Sequence, residues 1–195
     1  EVVGIYISGH PLDDFKDTLS YLSNIRLSDL RDLRMFIDKE LRIGGIIGEV
    51  QHKISKNGKG WATFVIEDYQ ESYEMRIFGE EYLKFKHFLE ENNFVYIKMY
   101  VKEGWKNNET GRVGEPRLHF LNFNQLQDSL SATAKRLSVK LEVDLIEEEH
   151  IKFFKQIFKN HKGDQELVLN ICGNEDGLKV NLNSNKYKIK IDEQL

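Results

Sequence analysis

The 195-residue sequence has little cysteine and no long apolar run, and each absence excludes a class of protein. The one cysteine, Cys172, cannot form an internal disulfide or supply a multi-cysteine zinc site. No stretch approaches the roughly 20 apolar residues that a membrane-spanning helix needs. The chain starts at Glu1 with no Met and no signal-peptide pattern. We therefore expect a piece of a longer cytoplasmic protein that makes no contact with a membrane.

The charge of the sequence is nearly balanced, with 28 Lys and Arg against 32 Asp and Glu. Residues 1–40 carry 5 basic and 8 acidic side chains, residues 41–126 carry 12 of each, and residues 127–195 carry 11 and 12. No section is basic enough to bind nucleic acid by bulk charge, so any such binding needs a local patch. A hydrophobic content of 40% is enough for packed cores and excludes a fully disordered chain.

The sequence also lacks the motifs of common active sites. Its histidines do not form a zinc-binding HExxH pattern, and neither a phosphate-binding glycine loop nor a GxSxG motif occurs. We interpret Asp13-Asp14 as solvated surface charge. Glu147–Glu149 is typical of the start of a helix, where acidic side chains are favourable. Cys172 lies beside Gly173 at a strand end with no paired histidine, as expected of a structural cysteine. We expect no active site, metal or cofactor within these residues.

The middle of the chain alternates between apolar and polar residues with the period of β-strands. Ala62, Phe64 and Ile66 share one face of a strand, and glycines within residues 41–50 indicate a bulge or a bent first strand. The predicted elements are strands at 41–50, 61–67 and 73–78, a helix at 80–91, and strands at 94–101 and 117–123. This order favours a five-stranded Greek-key barrel of the OB type. A plain antiparallel α+β sandwich is the alternative.

The flanking segments follow other patterns. Residues 1–40 are read as a helical linker or the end of a preceding domain, residues 41–126 as the OB-fold domain, and residues 127–136 as a linker. Residues 137–195 predict a small β-α-β-β-β interaction domain, with strands at 137–143, 167–171, 178–182 and 187–191. The expected fold class is therefore mainly β, with a small α/β unit at the end.

An OB barrel binds oligonucleotides on the face of its second and third strands and through the loops between strands one and two and between strands four and five. Cations there pair with phosphates, while aromatic rings stack on bases. The candidate residues are Lys53, Lys56, Lys59, Trp61, Arg76, Phe78, Trp105, Lys106 and Arg112. These residues also have simpler structural explanations. The lysines are typical of any soluble hairpin, and Trp61 and Phe78 could pack on neighbouring structure. Glu67, Asp68 and Glu74 would repel phosphate, so weak, salt-sensitive binding is expected.

Several stretches resemble one known family. Residues 4–12 (Gly-Ile-Tyr-Ile-Ser-Gly-His-Pro-Leu) are similar to the segment before the OB domain in the alpha subunit of bacterial DNA polymerase III. Residues 41–47, 59–68 and 74–78 resemble its OB domain. Val139-Lys140-Leu141 and Phe154 resemble its final domain.

This resemblance implies a non-catalytic C-terminal part of a replicative polymerase, whose full-length parent is a DNA-directed DNA polymerase (a nucleotidyltransferase). The OB domain would hold single-stranded template DNA, and the final domain would contact the clamp-loader tau subunit. Other domains of the parent polymerase would be further partners. Two alternatives stay open: a protein-interaction scaffold that touches no DNA, and an anticodon-binding appendage of a tRNA synthetase.

Overall fold

The computed structural model divides the chain into two compact units, Glu1–Ser129 and Leu130–Leu195. It describes residues 10–106, 113–173, 179–192 and 195. The motif at residues 4–9 and the candidate Arg112 lie outside these described residues.

The first unit is built on a five-stranded antiparallel sheet with the strand order β3-β2-β1-β4-β5. Its strands are β1 (Glu40–Ile54), β2 (Gly60–Glu67), β3 (Ser72–Phe78), β4 (Phe94–Lys102) and β5 (Arg117–Gln125). The predicted alternation is confirmed, since Ala62, Phe64 and Ile66 are all buried while their neighbours are not. The predicted helix is shorter than expected: α2 covers Gly79–Phe85 and continues as a 3₁₀ turn at Lys86–Phe88.

The long strand β1 pairs with two partners in turn. Its first part pairs with β4 and its second part with β2, with a register shift between Ile47 and Val50. A Cβ on Gly45 would lie 2.5 Å from the Glu67 carbonyl oxygen, so only glycine allows this close approach of strands. The irregularity predicted from the glycines of this strand is confirmed.

The sheet curls over its own apolar face. Phe64 on β2 lies 5.9 Å from Phe120 and 6.2 Å from Phe123 on β5, measured between ring centroids. Strands β1 and β4 lie between β2 and β5, so a flat sheet would hold β2 and β5 about 14 Å apart. The Phe85 ring of α2 adds a contact of 4.8 Å with Phe123. This strand order and curvature are consistent with the predicted OB-type barrel.

A carboxylate also ties α2 to β5. Glu81 accepts a hydrogen bond from the backbone N–H of Phe120 at 3.1 Å through Oε2, and its Oε1 lies 3.0 Å from Nδ1 of His119. The helix between β3 and β4 is thus anchored to the last strand of the sheet by both apolar and polar contacts.

Residues 10–40 pack on this sheet, a feature that the linker interpretation did not include. The segment contains α1 (Lys16–Leu22) and 3₁₀ turns at Asp13–Phe15, Leu27–Arg31 and Leu33–Phe36. Leu27 and Leu30 join the main core. Leu12 and Leu22 form a second apolar cluster with Tyr96 and Leu126.

The second unit has a three-stranded sheet covered by one long helix. Strands β6 (Arg136–Glu142) and β7 (Lys162–Cys172) run parallel, and β8 (Lys179–Ile189) pairs antiparallel with β7. Helix α4 (Glu148–Asn160) joins β6 to β7, and its Phe158 packs in a core with Leu167 and Ile189. The predicted mainly β class with a small α/β unit is confirmed.

Two details of the C-terminal part of the chain, from residue 126 onward, differ from the prediction. The strands predicted at 178–182 and 187–191 form one strand, β8, and the turn expected between them is a register shift within that strand. The Tyr187 N–H donates a hydrogen bond to Ser184 Oγ at 3.0 Å at this irregularity. Part of the predicted linker at 127–136 lies in helix α3 (Leu126–Thr133), because no residue there breaks a helix.

Candidate nucleic-acid interface

Three of the candidate residues form one row across three adjacent strands. Lys53 on β1 lies opposite Trp61 on β2, and Trp61 lies opposite Phe78 on β3. The Trp61 and Phe78 rings stack with centroids 5.3 Å apart and planes 16° apart. The Lys53 Nζ lies 5.2 Å from the Trp61 ring centroid. We call this arrangement the Lys53–Trp61–Phe78 row.

The row leaves one ring far more open than the other. Because β1 and β3 flank β2, Trp61 lies between the Lys53 ammonium and the Phe78 ring, and it is partly buried. Phe78 at the end of the row is 54% exposed. Phe78 is therefore the more accessible ring of the stacked pair, and Trp61 is covered by its two neighbours in the row.

A second, more polar set of residues runs beside this row. Gln51, Thr63 and Arg76 are paired across the same three strands, two positions along from Lys53, Trp61 and Phe78. Arg76 Nη2 lies 3.1 Å from Glu74 Oε1, and both side chains are more than half exposed. An exposed pair of this kind contributes about 0.2–1 kcal/mol, so Glu74 holds Arg76 only weakly.

The turn between β1 and β2 carries two further candidates, Lys56 and Lys59, both exposed. Gly58 has a φ of +73°, a conformation that glycine adopts without strain. The Gly58 N–H donates to the Ser55 carbonyl oxygen at 2.9 Å, and the Lys59 N–H donates to Ser55 Oγ at 3.1 Å. The hairpin predicted from Asn57-Gly58 is thus present, and it holds two lysines next to the row.

The remaining candidates lie in the connection from β4 to β5. Trp105 is 69% exposed, and Lys106 is exposed and forms a β-bridge with Val113. Among the described residues, no ring or cation contact joins Trp105 or Lys106 to the Lys53–Trp61–Phe78 row. The structure therefore groups Lys53, Trp61 and Phe78, with Arg76 beside them and Lys56 and Lys59 in the adjoining turn.

Gln51 and Thr63 were not predicted from the sequence as site residues, although their amide and hydroxyl lie on the same side of the sheet as Arg76. The signal was available in part: Thr63 alternates with buried Ala62 and Phe64, so it shares a face with Trp61. Gln51 could not be placed in the same way, because its register depends on the irregularity in β1.

Two other features are absent from the part of the chain that the structure describes. Across residues 10–106, 113–173 and 179–192, no three His, Cys, Asp or Glu side chains cluster closely enough to hold a metal ion. Within the same ranges, no helix combines the length and the apolar character needed to cross a membrane.

A curled five-stranded sheet that carries exposed cations and a stacked aromatic pair defines a candidate nucleic-acid-binding module. Residues 137–195 match the family model described as DNA polymerase III alpha subunit, C-terminal domain. The resemblance of this chain to a C-terminal region of the DNA polymerase III alpha subunit, predicted from its sequence, is confirmed.

The individual relatives agree with the family match. The DNA polymerase III subunit alpha of Mycobacterium tuberculosis H37Rv is 24% identical over 177 residues, which cover 90% of this chain and 14% of that protein. The subunit of Pseudomonas aeruginosa PAO1 is 21% identical over 87% of this chain and 14% of its own length. The subunit of Aquifex aeolicus VF5 is 35% identical over 53% of this chain and 9% of its own length. The chain therefore spans about a seventh or less of these relatives.

One solved structure, described as an aspartyl-tRNA synthetase of Leishmania major Friedlin, aligns with a TM-score of 0.35 at 12% identity. The alignment covers 63% of this chain and 22% of that one. This similarity is too low to bear on the fold or the function.

Proposed function

We propose that this chain is a non-catalytic C-terminal part of a bacterial replicative DNA polymerase alpha subunit, acting in the cytoplasm. In this proposal, the first unit binds single-stranded template DNA and the second unit contacts the clamp-loader tau subunit. Similarity to alpha subunits over 90% of the chain supports the polymerase assignment. The Lys53–Trp61–Phe78 row is the observation that supports DNA binding.

The row suggests a simple mechanism of binding. Lys53, Lys56 and Lys59 would attract the phosphate backbone, and Phe78 would stack on a base of any sequence. Movement of Lys53 towards a phosphate would also uncover one face of Trp61. With a contribution of about 0.7 per phosphate contact, three lysine contacts give a slope of about −2 for log K against log[salt]. The binding would be weak, independent of sequence and sensitive to salt.

Reversing the charge of the two turn lysines tests this mechanism. We expect Lys56→Glu/Lys59→Glu to weaken binding of fluorescein-labelled oligodeoxythymidylate about tenfold or more at low salt, because two phosphate contacts are lost and two carboxylates repel the strand. The measurement is fluorescence anisotropy over about 50–200 mM salt. The slope of log K against log[salt] should become shallower by about 1.4, because two contacts of about 0.7 each are lost.

The matched control is Lys16→Glu/Lys86→Glu, which changes the net charge equally at two exposed lysines away from the hairpin turn. This variant should bind within about twofold of the wild type, since distant exposed charges are screened by salt. Equal weakening in both variants would contradict a local site. Absence of binding by the wild type at low salt would support the scaffold alternative instead.

The proposed tau contact is supported by the family match of residues 137–195. Leu145 and Phe153 are exposed apolar residues of this unit. We expect purified tau subunit to bind the chain, and Leu145→Ser/Phe153→Ser to weaken that binding about tenfold, because buried apolar anchors dominate protein interfaces. Biolayer interferometry provides the affinity. Tyr21→Ser/Met35→Ser removes two exposed apolar side chains from the first unit and should have no effect; an equal loss there would contradict the assignment.

A further inference from the structure

The second unit has an open concavity of about 510 Å³ between α4 and β8. The residues that line it are Lys152, Lys155, Gln156, Lys159, Lys186 and Tyr187. We call it the lysine groove. Four of its six lining residues are cationic, and none is acidic.

Four lysines lie in this groove although the second unit as a whole has no excess of positive charge. Residues 130–195 contain 11 Lys and Arg and 11 Asp and Glu. Lys152 has a partner, Glu148, at 3.8 Å. In the described part of the unit, no carboxylate lies within ion-pair distance of Lys155, Lys159 or Lys186. Among the residues that the structure describes, three of the four groove lysines therefore have no carboxylate partner.

This arrangement carries a cost within the helix. Lys155 lies three residues after Lys152 and four residues before Lys159. Side chains at these spacings are neighbours on a helix surface, and like charges there destabilise the helix. A bound anion would relieve that repulsion.

The lining also indicates which kind of anion fits. The Tyr187 ring packs 6.0 Å from the Phe158 ring, and the Lys186 Nζ lies 5.5 Å from the Tyr187 ring. The Tyr187 ring, the one aromatic side chain in the lining, is therefore partly covered by its neighbours. Protein–protein interfaces are depleted in lysine and have an apolar centre, whereas nucleic-acid interfaces are polar and strongly positive.

The shape of the groove favours a single strand over a duplex. Proteins read duplex DNA with a helix or ribbon that protrudes into its groove, whereas this site is concave. From Lys152 to Lys159 the helix rises about 10 Å, so successive lysines can contact neighbouring phosphates of an extended strand. We infer that the lysine groove binds the phosphate backbone of single-stranded DNA. This is a second DNA contact, beyond the one proposed for the first unit.

The test uses the full 195-residue chain with its first DNA surface disabled by Lys56→Glu/Lys59→Glu/Phe78→Ala. Labelled oligodeoxythymidylate should still bind this chain in a salt-dependent way. Adding Lys155→Gln/Lys159→Gln/Lys186→Gln should weaken the remaining binding at least tenfold and make the salt slope shallower by about 2. The neutral glutamines replace exposed side chains, so circular dichroism should be unchanged.

The matched control is Lys135→Gln/Lys140→Gln/Lys179→Gln, three exposed lysines of the same unit that do not line the groove. It should leave affinity within about twofold, because these charges lie outside the contact and are screened. The inference would be overturned if the two triple variants weakened binding equally. It would also be overturned if the chain with its first DNA surface disabled bound no DNA. If instead the first-unit substitutions leave affinity unchanged and the groove substitutions abolish it, the proposed function of the first unit fails and the groove stands.

Competition identifies the occupant. Unlabelled single strand should displace the probe at a concentration at least tenfold lower than a duplex or a polyglutamate peptide of equal charge. Stronger competition by polyglutamate would assign the groove to an acidic protein segment. Stronger competition by duplex would assign it to double-stranded DNA. Either result would overturn the inference.

Discussion

Replacing Phe64 with alanine is expected to lower the free energy of unfolding of the first unit by about 3–5 kcal/mol. Phe64 is fully buried and contacts Phe120 and Phe123 across the core, where the curled sheet brings β2 close to β5. Its loss would leave a cavity that the surrounding strands cannot fill. Urea denaturation followed by tryptophan fluorescence measures the change. Because small domains are stable by only about 5–15 kcal/mol, this loss is a large part of the total.

Phe78→Ala is the comparison for this prediction, since it removes the same side chain from the outer face of the neighbouring strand. More than half of Phe78 is exposed, so its replacement should cost less than about 1 kcal/mol. If Phe64→Ala and Phe78→Ala destabilised the unit equally, the sheet would not be curled around a core centred on Phe64.

The same Phe78→Ala variant should have the largest effect of a single substitution on DNA binding. Stacking of one base on an aromatic ring contributes about 1–3 kcal/mol, so affinity for oligodeoxythymidylate should fall about 5- to 100-fold. Phe78 should matter more than Trp61 as a direct contact, because Trp61 lies between Lys53 and Phe78. Fluorescence anisotropy at low salt provides the dissociation constants.

Two further variants separate stacking from general apolar contact. Phe78→Tyr keeps a flat ring and should bind DNA nearly as well as the wild type, whereas Phe78→Leu should bind as weakly as the alanine variant. Tyr21→Ala removes an aromatic side chain that is 80% exposed on α1 and should leave affinity unchanged. Wild-type affinity for Phe78→Ala would exclude base stacking at this position.

The strands of the first unit could be predicted from the sequence because their faces differ in polarity. Ile97 and Met99 on β4 are fully buried, as their alternation with Lys98 and Tyr100 indicates. Local periodicity did not predict the packing of residues 10–40. Leu12 and Leu22 find their partners Tyr96 and Leu126 about 75–115 residues later in the chain, and no local pattern shows such contacts.

The proposed DNA surface was predictable in composition but not in arrangement. Alternation places Trp61 on the outer face of β2, and an outer position for Phe78 on β3 follows in the same way. The stacking of these rings, and the position of Lys53 over Trp61, depend on the register between three strands. The irregularity between Ile47 and Val50 sets the register of Lys53, and a one-residue difference would move its side chain to the opposite face.

Photo-cross-linking tests the central claim, that single-stranded DNA lies on the Lys53–Trp61–Phe78 row. An oligonucleotide that carries 5-iodouracil in place of thymine is bound to the chain at low salt and irradiated, and the attached peptides are identified by mass spectrometry. The account predicts a covalent adduct at Phe78 or Trp61 that excess unlabelled strand prevents. Adducts that form only at residues outside the row would contradict it.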